Sequence, residues 1–300
     1  MATAVCLRGT EVAHESRDHM NDEEFELLRG LVSREIGIVL KGAKRSILTT
    51  KVAQRLGVLK LATYQDYCSF IVSDQAREEL YLLASHITNN ETYFFRETQQ
   101  LDSFGNLLRD IKAEKQKMGS NVIRILSLGS STGEEAYTMN IILHESGLFV
   151  WDWDIKITGI DIDRNALRKA ADAVYSQNSF RMVSEEDDRV RKNFTREHNQ
   201  FVLKRHLTRN VGFRQGNLLT KEAYAGLENT DVVFCRNVLI YMNDDAIKKI
   251  AGNLHGVLSD RGYLFVGASE SLIEKTKLFC PETLYGTTVY RKKVPALPGA

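Results

Sequence analysis

Residues 122–135 read VIRILSLGSSTGEE, and this stretch decides the fold. Val122–Leu128 is a short apolar strand, the span from Gly129 to Gly133 turns the chain, and EEAYTMNIIL carries it into a helix. A strand, a glycine-bracketed turn and a helix form the first βα unit of an open α/β sheet, where ligands approach a helix N-terminus. Downstream, Ile155–Ile160 reads as a second strand ending in Asp161-Ile162-Asp163, followed by a helix over Arg164–Val174. Asp231–Cys235 is another buried strand, Asn243–Leu258 a helix, Arg261–Val266 a strand, and Thr287–Arg291 a last strand after Gly286. Strands alternating with helices at this spacing imply a mostly parallel, doubly wound sheet. Asn199–Arg205 and Asn210–Arg214 interrupt it and read as a small antiparallel β-insertion over 196–214.

Upstream the pattern is helical. Asn21 and Glu24 have capping-box spacing, and Phe25, Leu28, Val32 and Ile36 share one face before Gly37. Helical periods follow over Lys44–Leu56, Thr63–Ile71 and Asp74–Ile87, then a long helix over Glu97–Met118 that ends in lysines and Gly119. The expected organisation is a flexible leader (1–20), a helical domain (21–96), a linker helix (97–118), an α/β domain (119–293) and a tail (294–300).

Composition narrows the class. The chain has 300 residues, 40 Lys+Arg against 39 Asp+Glu, 43% apolar and 26% charged residues. These values are ordinary for a globular protein and exclude global disorder. A net charge of +1 argues against bulk nucleic-acid binding. Cys6, Cys68, Cys235 and Cys280 are scattered without a CxxC pair or clustered histidines, which excludes a zinc framework and predicts no metal. No apolar run approaches the roughly 18 residues that would span a bilayer, and Ala2–Leu7 is too short for a signal sequence. A cytoplasmic monomer without membrane insertion is expected.

Chemistry concentrates in a few loops. Gly129–Glu135 is not GxGxxG, and two acids at the helix start would repel a pyrophosphate. They suit a ligand with amines and hydroxyls, such as a nucleoside with an amino-acid tail. Thr132 and Glu135 also have capping-box spacing, so an ordinary capped turn stays open. Asp161, at the end of the second strand, can accept both hydroxyls of a ribose, while Asp163 suits a helix N-cap. TNNETYFFR (88–96) is dense in hydrogen-bonding groups, with Phe94 and Phe95 expected in the core. Asn237 follows the fourth strand where that edge meets the ligand crevice, and Cys235 reads as a small buried hydrophobe.

TNNETYFFRE, LGSSTGEEAYT, GIDID, FCRNVLIYM and YLFVGASES, in this order, resemble the motifs of the chemotaxis receptor methyltransferases, the CheR family. The resemblance runs from about residue 21 to residue 292. It implies a helical N-terminal domain, a Rossmann-like S-adenosylmethionine-dependent methyltransferase domain and a small antiparallel β-subdomain. It also implies S-adenosylmethionine as donor, S-adenosylhomocysteine as product, and glutamates of a chemoreceptor cytoplasmic helical bundle as acceptors. Carried over, Asn90, Thr92 and Arg96 contact the donor; Glu135 holds its amino or hydroxyl groups and Asp161 its ribose. Asn217 and Leu218 frame the adenine, Asn237 and Val238 border the methionine portion, and Tyr241 lies near the transferred methyl. Arg96 and Tyr241 are then the candidates for orienting the acceptor carboxylate, with Arg96 bonding one oxygen and leaving the other free. The family often has Pro where Ala136 stands and His where Ala268 stands.

Lys41, Lys44, Arg45, Lys51, Arg55 and Lys60 occur with no acid between them, and Lys44, Lys51 and Arg55 fall on one helix face. In the light of the resemblance, Lys41, Lys44, Arg45, Lys51 and Arg55 are expected to dock on an acidic receptor bundle. Some members of the family tether to a receptor's C-terminal peptide through a glycine-containing loop in the β-subdomain. Here Arg196–Gln200 is short and glycine-free, which predicts action without that tether. A methyltransferase of the same build for another signalling protein, and a donor-sensing module without catalysis, stay open at this point.

Overall fold

The computed structural model describes residues 20–40, 42–73 and 76–293, and the chain divides into two compact units between Asn89 and Asn90. The first unit holds α1 (Asp22–Glu35), α2 (Arg45–Leu59), α3 (Tyr64–Ile71) and α4 (Arg77–Ile87). The Asn21/Glu24 capping box forms in full, a second one closes Thr63 on Asp66, and Phe25, Leu28, Val32 and Ile36 are all buried. Met20, assigned above to the leader, is buried, and its carbonyl accepts a 2.8 Å bond from Arg45. Residues 1–19 and 294–300 lie outside the described residues, as do Lys41, Asp74 and Gln75.

The second unit begins with the segment 90–97 and α5 (Thr98–Lys117). It continues through β1 (Val122–Leu128), α6 (Glu134–Glu145), β2 (Asp154–Asp161) and α7 (Arg164–Asp172). After β3 (Val174–Tyr175), α8 (Asp188–Asn193), β4 (Phe194–Glu197), β5 (Gln200–Leu203) and α9 (Arg205–Thr208) come β6 (Val211–Gln215) and β7 (Thr230–Cys235). α10 (Asp244–Val257), β8 (Leu258–Val266), β9 (Phe279–Leu284) and β10 (Thr287–Lys292) complete it. The large sheet has the order β6-β2-β1-β7-β8-β10-β9, parallel from β6 to β8 and antiparallel on both sides of β10.

Alternation along the central strands builds two cores. Ile123, Ile125, Val232, Phe234 and Phe265 face one core, which includes Phe104 of α5 packed edge-on at 5.4 Å from the Phe234 ring. Leu126, Leu128, Val233, Cys235, Leu264 and Val266 face the other, closed by Ile247, Ile250 and Leu254 of α10. A strand covered on both faces needs no polar side, which is why these strands read as mostly apolar runs rather than alternating ones.

Two expectations are corrected. Residues 210–214 do not belong to an antiparallel insertion: β6 pairs parallel with β2, Ile157 opposite Val211 through Asp161 opposite Gln215. The small sheet is β3-β5-β4, whose outer partner, Val174–Tyr175, is too short to show a strand pattern in the sequence. The second correction concerns residues 90–96, which belong with the α/β unit rather than the helical one. Phe94 explains it, stacking on Phe180 at 5.0 Å and meeting Tyr175 and Phe194 edge-on at 4.8 and 4.9 Å. The Phe94 N–H donates to the Ser179 carbonyl at 2.8 Å. The small sheet therefore helps to set where Arg96 stands.

Candidate active site

The large sheet reverses direction of build at β1, which has β2 on one side and β7 on the other. The turns after β1 and β7 thus leave in opposite senses and open a crevice at the strands' C-terminal ends. Gly129 is required there: its φ is +64°, and a Cβ on it would stand 2.5 Å from Val238 Cγ2. Val238, from the turn after β7, packs directly on the turn after β1. Around this point several non-glycine residues hold left-handed backbone: Phe95 (φ 60°), Glu97 (57°), Ser131 (49°) and Asn237 (58°). Each costs on the order of 1 kcal/mol, and such clusters persist where surrounding contacts over-determine them.

The first turn is not a capping box. Gly133 precedes α6 with φ +91° and no side-chain cap. Thr132 donates to Glu134 Oε2 at 2.6 Å, and Ser179 donates to Glu134 Oε1 at 2.9 Å. Glu134 is thus a buried tie to the small-sheet segment, and burial pushes its carboxyl pKa up. Glu135 is the acid that faces the crevice network: Ser127 donates to its Oε1 at 2.7 Å and Arg236 Nε to its Oε2 at 2.7 Å.

Asp161 is more constrained than a free ribose acceptor. Its Oδ2 accepts the Ser131 N–H at 2.8 Å and its Oδ1 the Asp163 N–H at 2.9 Å. Burial raises its pKa against these two bonds, which favour the ionised form. A carboxylate oxygen still has a second lone pair, so Asp161 fixes the turn after β1 and retains accepting capacity. Asp163 caps α7, accepting from the N–H groups of Asn165 and Ala166, and its other oxygen receives Asn90 Nδ2 at 2.7 Å. The Asn90 carbonyl in turn accepts from Ser131 Oγ at 3.1 Å, which brings Asn90, Ser131 and Asp161 together.

Asn217 and Leu218 follow β6, next to Asp161, whose carbonyl accepts the Gly216 N–H at 2.9 Å. Both are buried, with Asn217 Oδ1 on the Leu219 N–H and the Leu218 carbonyl on Tyr224 and Asn253. Asn237 donates from Nδ2 to Glu97 Oε1 at 3.3 Å and from its backbone N–H to Glu270 Oε2 at 2.8 Å. Tyr241 closes the same turn and is half-buried, as is Thr92 in the segment before Phe94. Arg96 is half-buried, donates from Nη1 to the Glu91 carbonyl at 3.0 Å, and lies over the Tyr93 ring at 5.4 Å.

Three residues of this network escaped sequence reasoning. Arg236, Glu97 and Glu270 sit beside residues that were singled out, and Arg236 carried a readable signal: a charge directly after the apolar run Val232–Cys235. Glu270, in GASES, accepts the N–H groups of Asn237, Gly267 (2.7 Å) and Ile240 (3.0 Å), and burial raises its pKa. Cys235 is fully buried with its thiol pKa pushed well up by burial, as a packing residue rather than a nucleophile.

In the first unit the basic helix is partly committed. Arg55 forms a two-pronged pair with buried Glu79, at 2.9 and 2.7 Å. Lys44 donates to the Ile87 carbonyl and Arg45 to Asp22 and the Met20 carbonyl. Lys51 is half-buried on α2. The acids missing between residues 41 and 60 come from other helices, which the local sequence does not display.

The crevice fits an adenosyl amino acid. Its first turn contributes carboxylates and hydroxyls and no cation, Gly129 leaves no side chain, and the sheet places acids after β1 and β2. Fold and site together define a Rossmann-like methyltransferase. The family model for the CheR methyltransferase SAM binding domain matches residues 90–285, and that for the CheR methyltransferase all-alpha domain matches residues 23–88. Chemotaxis protein methyltransferase 2 of Vibrio cholerae is 30% identical over 275 residues, covering 91% of this chain and 94% of the relative. Chemotaxis protein methyltransferases of Escherichia coli and Salmonella typhimurium are 29% and 30% identical, each covering 96% of this chain and 95% and 94% of their own lengths. The chain belongs to the CheR methyltransferase family, and S-adenosylmethionine-dependent methylation in chemotaxis is its function. Among the described residues no helix is long and apolar enough to cross a membrane, and no His/Cys/Asp/Glu group converges as a metal site.

Proposed function

We propose that this chain methylates glutamate side chains on the cytoplasmic helices of a chemoreceptor, forming protein-glutamate methyl esters. The observation that carries the reading is Arg96, on a strained turn whose carbonyl is bonded by the residue following β7, beside an acid-lined crevice. S-adenosylmethionine supplies, when bound, an electrophilic methyl on a sulfonium. Glu135, Asp161, Asn90 and Thr92 would hold its polar groups, Asn217 and Leu218 its base, and Asn237 and Val238 its amino-acid end. A glutamate acceptor, pKa about 4.3, is already ionised at neutral pH, so the site needs no general base.

What the chain's own residues must do is align and desolvate. Arg96 donates one bond to the acceptor carboxylate and leaves the other oxygen free to attack; a two-pronged pair would blunt it. Tyr241 borders the reacting carbon and excludes water. Alignment of this kind is worth up to roughly 7–11 kcal/mol as effective molarity.

The test is transfer of labelled methyl to a purified receptor cytoplasmic fragment, followed by alkaline release. Base-stable label, or no label despite S-adenosylhomocysteine binding, would sink the reading. Arg96→Ala should lower turnover at saturating donor about 100-fold, near 2.7 kcal/mol; wild-type turnover there would remove Arg96 from the mechanism. β4 and β5 are joined by His198 and Asn199 alone, too tight a hairpin to offer a peptide-binding loop. The tight hairpin supports action without a C-terminal tether, and measurable binding of an isolated receptor C-terminal peptide would refute it.

A further inference from the structure

Resting on that reading, we propose that Arg236 is a positioning residue that sets both halves of the transfer site. Its side chain is 2% exposed and divides its donors three ways. Nε donates to Glu135 Oε2 at 2.7 Å; Nη1 donates to the Arg96 carbonyl at 3.0 Å and reaches Gln100 Oε1 at 3.5 Å. Glu97 Oε2 lies 3.7 Å away, so two carboxylates share one buried cation.

The geometry assigns a role to each bond. Glu135 is fixed from both sides, by Ser127 of β1 and by Arg236 after β7, so its carboxylate cannot rotate away from the crevice. Arg96 lies between two left-handed residues, Phe95 and Glu97, and its carbonyl is where Arg236 takes hold. One guanidinium therefore ties the acid on the donor side to the backbone that carries the acceptor-orienting arginine. It need touch neither reactant. A planar fork can serve Glu135 and the Arg96 carbonyl together, whereas an ammonium at the same place is a single point on a shorter reach.

The experiment uses the full chain with Arg236→Lys and Arg236→Gln. Calorimetric titration with S-adenosylhomocysteine gives the affinity and the concentration of competent sites, and turnover is then expressed per site. In R236K we expect affinity about tenfold weaker and turnover per site about 100-fold lower, the scale of a small misplacement of aligned groups. Glu135→Gln should weaken binding about tenfold in the wild type but less than about threefold in the R236K background, because the two act as one unit. A residue that only supports the fold would lower the melting temperature and the number of sites and leave both per-site quantities intact. Wild-type affinity and per-site turnover in R236K, or additive effects with E135Q, would overturn the proposal. So would failure of both variants to fold, which would assign Arg236 to the architecture. Wild-type protein that does not bind S-adenosylhomocysteine at all would sink the methyltransferase reading instead.

Discussion

Arg55 and Arg236 are both inner arginines paired with carboxylates, and they do opposite things. Arg55 gives both prongs to Glu79, whose Oε1 also receives the Tyr67 hydroxyl at 2.9 Å, and all three residues stand on or beside regular helix. One cation meets one anion, and hydrogen bonding to Glu79 raises the Arg55 pKa. Arg236 instead spreads over two carboxylates, an amide and a carbonyl, among left-handed residues that no helix or strand requires. A closed, charge-matched pair on regular backbone is what architecture needs. A shared cation on strained turns makes sense where a third party is to be aligned, and strain collects at such sites.

The comparison breaks most readily at Glu79. Glu79→Ala leaves the fully buried Tyr67 hydroxyl without its acceptor and Arg55 without its partner. Breaking a buried pair costs about 3–5 kcal/mol; Arg55, with 23% of its side chain exposed, can recover some solvation, so the low end is expected. Denaturant unfolding should show a loss of about 3 kcal/mol, with S-adenosylhomocysteine affinity unchanged because the crevice residues all belong to the second unit. A loss under about 1 kcal/mol would show that the pair is not closed as argued. Weakened donor binding would show that it is not purely architectural.

The two arginines were unequally legible. A basic helix face is visible in sequence, but Arg55 leaves that face because Glu79 arrives from 24 positions away, which no local pattern reveals. The α/β order was readable because strands covered on both faces are mostly apolar, so Val122–Leu128 appears with its bounds intact despite Arg124 and Ser127. β6 was misassigned because an edge strand alternates weakly: Val211–Gln215 is half-buried or exposed throughout and resembles a surface hairpin. β9 carries Pro281, tolerated because β9 is the sheet's edge, yet in sequence a proline argues against a strand. In the crevice the motifs pointed to Glu135, Asp161 and Asn237, which the structure places at the start of α6, the end of β2 and the turn after β7. They contain Glu97 and Glu270 but gave neither a role, because the bonds of these two to Asn237 span 140 and 33 positions.

Glu270 sharpens the contrast at a middle scale. It is a half-buried carboxylate that accepts from the backbone N–H groups of Asn237 and Ile240 in the turn after β7 and from that of Gly267 after β8. Glu270→Gln removes a half-buried charge but sets an amide NH2 against at least one N–H, so the net stability change should stay within about 1.5 kcal/mol. Donor affinity should fall about tenfold, near 1.4 kcal/mol, because the turn is no longer held. The folded-state pKa lies above the ordinary value, so the folded protein takes up the proton first. Stability from this group is therefore fully present below the unfolded pKa and lost as pH rises through the folded one. Wild type should gain on E270Q as pH falls from neutrality toward the ordinary glutamate value of about 4.3; a pH-independent difference would break the argument.

The smallest effect separates Lys51 from Arg55 on one helix. Arg55 is spent on Glu79, so a receptor bundle docking on α2 must read the remaining charges, Lys51 among them. A rim charge contributes mainly through steering and is screened beyond about 8 Å at physiological salt. Lys51→Glu should raise KM for the receptor fragment about threefold at low salt, roughly 0.6 kcal/mol, and the difference should vanish at 1 M salt, where screening reaches about 3 Å. A salt-independent rise would mean that Lys51 packs against the acceptor rather than attracting it. No rise at low salt would take α2 out of the docking surface and leave acceptor recognition to the crevice, where charge is shared rather than matched.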